Sequence, residues 1–117
     1  MMKSALAFIA AVAAATPALA ATPFDGAWNV VVHTQVGPCP SEISGTVFIE
    51  NGDVKGTSAP GIGVWGGIDL KGQVSTRFTQ DRDMLRAFGK ATHSQASGAW
   101  SSNTKYCGGR WEAHRAR

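Results

Sequence analysis

The chain has 117 residues, 44% of them hydrophobic and 16% charged, which suits one small domain with an apolar core. Eleven Lys and Arg against eight Asp and Glu give a formal charge of +3. Nucleic-acid binding usually needs a strongly basic face, so this mild balance argues against a nucleic-acid partner.

The first twenty residues have the layout of a secretory signal peptide. Lys3 precedes an apolar run over 5–15 that is too short to span a bilayer as a helix. The small residues Ala18 and Ala20 suit signal peptidase, and an uncleaved anchor would need a stop-transfer flank that does not follow. We therefore expect cleavage after Ala20, which leaves residues 21–117 as one periplasmic or extracellular domain with a formal charge of +2 once Lys3 is lost.

Two cysteines, Cys39 and Cys107, fall in the exported part. In an oxidising compartment an even count of two predicts one disulfide. Closing so long a loop stabilises a domain by up to about 4 kcal/mol in the chain-entropy model. A redox-active or metal-binding pair is the alternative, but the chain has no Cys-x-x-Cys and no zinc-site spacing.

Glycine spacing and apolar alternation indicate an all-β domain. All fourteen glycines follow residue 20 and separate runs in which apolar and polar residues alternate. No stretch shows the apolar period of a substantial helix. The first strand is predicted over 27–35, with Trp28, Val30 and Val32 on one face.

The next strand is predicted over 43–50 and ends at a hairpin signal, Asn51-Gly52. Both positions of a type I′ turn need positive φ, which Asn and Gly tolerate. This turn sets Ile49 opposite Val54. The segment "TSAPGIG" over 57–63 then interrupts the pattern and is predicted as a loop or an irregular edge.

A further strand over 64–69 leads into "DLKGQ", which predicts a three-residue hairpin loop with Gly72 in the left-handed conformation. Trp65 then faces Arg77 on the outer side. The inner pairs set by the same register are Ile68 with Val74, Gly66 with Thr76, and Val64 with Phe78.

The strand predicted over 84–93 turns Arg86, Phe88 and Lys90 to one face and four small or apolar residues to the other: Leu85, Ala87, Gly89 and Ala91. Two short strands carrying Trp100 and Trp111 complete about eight strands joined by short turns. We predict an antiparallel up-and-down meander, either a closed barrel or a flattened sandwich.

Gly-Ala-Trp occurs at both 26–28 and 98–100. In an up-and-down barrel the first and last strands are neighbours, so the two ends of the chain must meet. We interpret the tryptophans of the terminal segments as caps on the core. The disulfide from Cys39 to Cys107 then joins the closing strands.

Phe24-Asp25-Gly26-Ala27-Trp28 at the start and Cys107-Gly108-Gly109-Arg110-Trp111 at the end resemble a family of small exported bacterial all-β proteins of unknown function. That resemblance implies export and a β fold, with no catalytic residues. The opening Gly-x-Trp is similar to the start of lipocalin and avidin barrels, where the Trp packs at the barrel's end. The length and single disulfide also look like the periplasmic β-barrel inhibitors of bacterial metalloproteases.

No motif predicts catalysis, a metal or a cofactor. The chain lacks a Gly-x-Ser-x-Gly elbow, a phosphate loop and a dinucleotide fingerprint. His33 and His114 could be neighbours if the terminal strands pair, but both are predicted on the solvent face. Glycosidase chemistry needs two converging carboxylates, but the clearest close pair, Glu50 and Asp53, only flanks the Asn51-Gly52 turn. We therefore expect no enzyme activity, no cofactor and no metal site.

The predicted registers gather an aromatic and basic set on the outer face of three adjacent strands: Trp65, Arg77, Arg86, Phe88 and Lys90. Such a face could bind a glycan, an unpaired base or an acidic protein surface. The alternative is that the loop over 57–63 or the N-terminal segment covers the two rings.

The inward small residues Gly66, Ala87, Gly89 and Ala91 either make room for the tryptophans or leave a pocket. We expect a filled interior. The leading hypothesis is accordingly a non-catalytic binding module that uses the outer face. The alternatives are a protease inhibitor with a flexible N-terminal stretch over 21–25, and a carrier of a small apolar ligand.

Overall fold

The computed structural model describes residues 21–116; the expected signal peptide over 1–20 and Arg117 lie outside them. The described chain is all-β. Its eight strands are β1 (Gly26–Val36), β2 (Glu42–Glu50), β3 (Asp53–Thr57), β4 (Gly63–Ile68), β5 (Gln73–Gln80), β6 (Asp83–Ala91), β7 (Gln95–Ser102) and β8 (Cys107–Arg115). Over this same range, no helix is long and apolar enough to cross a membrane.

The eight strands form a closed antiparallel barrel in simple chain order. Each strand pairs with the next, and β1 also pairs with β8, which closes the sheet. At this seam Val32 lies opposite Trp111, and a bulge between Thr34 and Val36 shifts the register. Of the two predicted architectures the structure is therefore the barrel, because the β1–β8 ladder leaves no free sheet edge there.

Local turn chemistry produced the predicted hairpins. Asn51 and Gly52 both have positive φ, 56° and 83°, and Ile49 pairs with Val54. The Asp69 carboxylate accepts hydrogen bonds from the backbone N–H groups of Lys71 and Gln73. The inner pairs predicted for β4 and β5 are all present, and Trp65 faces Arg77.

Alternation along each strand places the apolar side chains inside. The buried core includes an aromatic residue from the N-terminal segment, three tryptophans and small or aliphatic residues from the strands: Phe24, Trp28, Ile49, Val54, Ile68, Val74, Ala87, Ala91, Ala96, Trp100, Trp111 and Ala113. Charged residues of the strands lie on the outside.

The predicted disulfide joins Cys39, in the β1–β2 loop, to Cys107, the first residue of β8. The two Cα atoms are 6.0 Å apart. Gly37 makes this approach possible: its φ is +93°, and a Cβ there would collide with the backbone of Tyr106 and Cys107. The bridge thus fastens the seam between the first and last strands at one end of the barrel.

Candidate functional site

One end of the barrel is sealed by Trp28 and Arg115. The Trp28 ring is buried, its indole N–H donates to the Phe24 carbonyl at 2.9 Å, and the Arg115 guanidinium lies 4.7 Å from the ring centroid. Arg115 also donates hydrogen bonds to the carbonyls of Pro23, Asp25 and His93. Trp28 therefore packs at the barrel's end, as its likeness to the opening Gly-x-Trp of lipocalins and avidins implies.

Asp25 fastens the N-terminal segment to the β2–β3 turn. Its carboxylate accepts hydrogen bonds from the N–H groups of Asn51 and Gly52, at 2.8 and 3.0 Å, and from the Thr22 hydroxyl at 2.6 Å. Burial alone would raise the pKa of this carboxyl, but these hydrogen bonds stabilise the ionised form and lower the pKa to about 2. The segment over 22–25 is consequently part of the seal.

This packing contradicts the flexible N-terminal stretch that the inhibitor hypothesis predicted over 21–25. Phe24 is buried in the core, and Arg115 holds the carbonyls on both sides of it. Within the described residues, the N-terminal segment is packed against the end of the barrel, and protease inhibition itself stays a prediction.

The barrel interior contains a cavity of about 240 Å³ with an almost wholly apolar lining. Every strand contributes to it. The aromatic and aliphatic lining residues are Trp28, Val30, Val32, Ile43, Val47, Ile49, Val54, Ile68, Val74, Phe78, Leu85, Trp100 and Trp111, with Ala87, Ala96 and Ala113 between them.

The expected filled interior is therefore wrong, and the tryptophans show why. The Trp111 indole N–H donates to the carbonyls of Phe88 and Ala99, both at 3.2 Å, which draws its ring against the barrel wall. A Cβ on Gly89 would lie only 2.8 Å from Cζ2 of Trp111. Gly89 thus makes room for the ring at the wall. Because Trp111 lies against the wall in this way, its ring leaves the centre of the barrel open.

Among residues 21–116, no charged side chain lines the cavity. Thr76 is the buried polar residue within it, and its hydroxyl donates a long 3.4 Å hydrogen bond to the Ala87 carbonyl. The Trp100 indole N–H is satisfied by the His33 carbonyl at 3.0 Å. The interior can consequently solvate an apolar molecule but offers no counter-charge to an ion.

The cavity opens to solvent on the side formed by β2 and the β3–β4 loop, which we call the mouth. Thr57, Ser58 and Ala59 line it, together with residues 43–47 of β2. The loop is held to β2 because Ser58 N donates to the Thr46 carbonyl at 2.9 Å. Ile43, at this rim, is 45% exposed.

Next to this mouth, two neighbouring strands of the barrel wall share very few paired positions. β3 and β4 share a single paired position, Asp53 with Gly67, whereas the other neighbouring strands share at least four. Gly66 of β4, beside this sparsely paired stretch, is solvent-exposed. The boundary between β3 and β4 is therefore the part of the barrel wall with the fewest paired positions.

The five residues of the predicted outer-face set project together from β4, β5 and β6. Trp65 is 50% exposed and Phe88 53%, so neither the loop nor the N-terminal segment covers the rings. The Arg77 guanidinium lies 5.1 Å from the Trp65 ring centroid. Arg77 pairs directly with Arg86, and Lys90 continues the same face of β6. The geometry is as predicted; binding by this set stays a prediction.

The histidines do not converge. β1 and β8 pair, but His33 lies opposite Arg110 while His114 lies opposite Asn29. His33 instead contacts Glu112 at 3.3 Å. Among residues 21–116 no group of three or more His, Cys, Asp or Glu side chains could hold a metal ion.

Comparison with known proteins finds no significant match among family models, curated proteins or solved structures. The candidate sites therefore rest on geometry. Sequence reasoning missed Arg115 as the partner of Trp28 and the loop over 57–59 as part of the mouth. The basic residue ending the last strand was a usable signal for the first, since terminal strands meet in a barrel.

Proposed function

We propose that this protein is a non-catalytic carrier that binds a small, uncharged, apolar molecule inside the barrel. The observation that carries the proposal is the apolar cavity of about 240 Å³, sealed at one end by Trp28 and Arg115 and accessible beside the β3–β4 loop. Eight-stranded barrels are wide enough to hold one small ligand.

The cavity volume sets the size of the ligand. An apolar protein cavity of roughly 150 Å³ stays dry and binds benzene, which corresponds to roughly 25 Å³ for each ligand heavy atom. The same ratio gives about ten heavy atoms for this cavity. Since the described part of the chain brings no charged residue to the lining, the cavity favours a neutral hydrocarbon or aromatic molecule over a fatty acid, whose carboxylate would need a partner.

A pair of probes tests the proposal. Protein expressed from the full sequence under oxidising conditions is titrated with n-butylbenzene and with phenylacetate, a carboxylate that has the same number of heavy atoms. The neutral probe should bind saturably at one site and change the fluorescence of the interior tryptophans, Trp100 and Trp111. The carboxylate should bind at least tenfold more weakly. Equal binding of both probes, or no saturable binding of either, would rule out the carrier.

We also propose that the carrier works outside the cytoplasm, on the strength of the signal-peptide pattern and the disulfide. Mass spectrometry of protein secreted from cells expressing the full chain should find Ala21 at the N-terminus. Recovery of the intact chain from the cytoplasm would contradict export.

A further inference from the structure

We propose a second site, on the outer surface of the barrel, that docks onto an anionic lipid membrane surface. This face is formed by Trp65, Arg77, Arg86, Phe88 and Lys90. This inference does not depend on the cavity. It rests on the exposure, pairing and charge of these five side chains, which the carrier proposal does not use.

The face carries positive charge that the barrel leaves unneutralised. The ion pairs within residues 21–116 join His33 to Glu42 and Glu112, and Lys105 to Asp83. None of them involves the cations of this face. Arg77 and Arg86 are directly opposite each other, an arrangement of like charges that weakens a sheet. An anionic surface would relieve this repulsion.

Two half-exposed aromatic rings accompany the charge. Trp65 and Phe88 are 50% and 53% exposed, and Arg77 lies over the Trp65 ring. Tryptophan is enriched at the headgroup level of membranes, where its ring contacts lipid and its polar edge stays hydrated. Neighbouring Arg and Lys add attraction to anionic headgroups.

The neighbouring outward positions favour a membrane over a glycan or an acidic protein. Ser75 lies beside Phe88, and across β7 the same rows continue with Ala99 and Ser101. Between β4 and β7 the two rows that hold the rings carry no carboxamide or carboxylate that would orient a sugar by directional hydrogen bonds; Asp53 of β3 and Gln73, opposite Lys90, lie at the margins of the face. Rings and flexible cations on an open wall suit a fluid charged surface, which requires no fixed shape.

Flotation with lipid vesicles tests this site. The protein should bind vesicles that contain phosphatidylglycerol and not vesicles of phosphatidylcholine alone, and its tryptophan emission should shift to the blue on binding. Trp65→Phe should abolish most of that shift. Arg77→Gln with Arg86→Gln should weaken binding about thirty-fold.

Matched controls remove the same charge elsewhere. Lys71→Gln with Arg82→Gln changes two cations in the turns at the ends of β5, and it should weaken binding less than three-fold. Equal losses in both double variants, or no binding to phosphatidylglycerol, would overturn the proposal. Binding to heparin that needs Arg77 and Arg86, without binding to vesicles, would assign the face to acidic glycans and also overturn it.

Discussion

Replacing Ala87 by leucine should stabilise the barrel and weaken ligand binding at the same time. Ala87 is buried and lines the cavity between Thr76 and Trp100, its neighbours on the adjoining strands. Leucine adds three heavy atoms, or roughly 75 Å³ at roughly 25 Å³ for each atom, which is about a third of the cavity.

The size of the expected stabilisation follows from the free-energy penalty of an unfilled cavity. Filling roughly 75 Å³ at ~24 cal/mol per Å³ returns up to about 1.8 kcal/mol. Side-chain ordering and rotamer strain offset part of this gain. We expect the free energy of unfolding to rise by about 1 kcal/mol, which raises Tm by about 4–8 °C in a domain of this size. Binding of n-butylbenzene should weaken at least tenfold because a third of its space is gone.

Ala91→Leu is the matched control. Ala91 is equally buried but does not line the cavity, and its backbone N–H donates to the Gly72 carbonyl at 2.7 Å near the sealed end. Overpacking there should lower the free energy of unfolding by about 1–3 kcal/mol and leave probe binding unchanged. Urea unfolding and probe titration measure both effects. If Ala87→Leu destabilises the protein as much as Ala91→Leu and binding persists, the reasoning about the cavity fails.

Three further predictions concern the closure of the barrel. Cys39→Ser with Cys107→Ser should lower the free energy of unfolding by about 4 kcal/mol, because the bridge closes a loop with a sequence separation of 68 residues. A loss below about 1 kcal/mol in urea unfolding would show that the bridge does not constrain the unfolded chain. Asp25 has a depressed pKa of about 2, so its contribution is complete above the ordinary pKa of 3.8 and disappears as the pH falls through about 2. Acid unfolding of Asp25→Asn should therefore be less steep than that of the wild type between these values, and identical slopes would contradict this role. In Arg115→Lys, the lysine cannot reproduce the planar guanidinium fork that spans three carbonyls and stacks on Trp28. We expect the free energy of unfolding to fall by about 2 kcal/mol and the near-ultraviolet circular dichroism signal to change. Wild-type stability in this variant would contradict the role of Arg115.

The strands and hairpins could be predicted because their determinants are local. Asn51 and Gly52 tolerate the positive φ of the turn that fixes one register, and Asp69 with Gly72 fixes another. From those registers, alternation alone places Trp65 beside Arg77 on the outer face. The exposed set was therefore accessible to sequence reasoning before its surroundings were known.

The cavity could not be predicted in the same way because it depends on contacts between distant strands. Whether Trp111 fills the centre or lies on the wall is decided by carbonyls of β6 and β7 and by the space above Gly89. The pairing of Arg115 with Trp28 likewise joins the two ends of the chain. The composition predicts that aromatic rings and small residues share the interior, but it does not predict which strands each ring packs against.

The proposed carrier binds a small neutral apolar molecule in the interior of the barrel. Nuclear Overhauser effects between n-butylbenzene and the protein methyl groups test it most directly. We expect contacts to the methyls of Ala87, Val74 and Ala113, all of which line the cavity. Contacts confined to the neighbours of the exposed rings Trp65 and Phe88, or no intermolecular contacts at saturating probe, would contradict it.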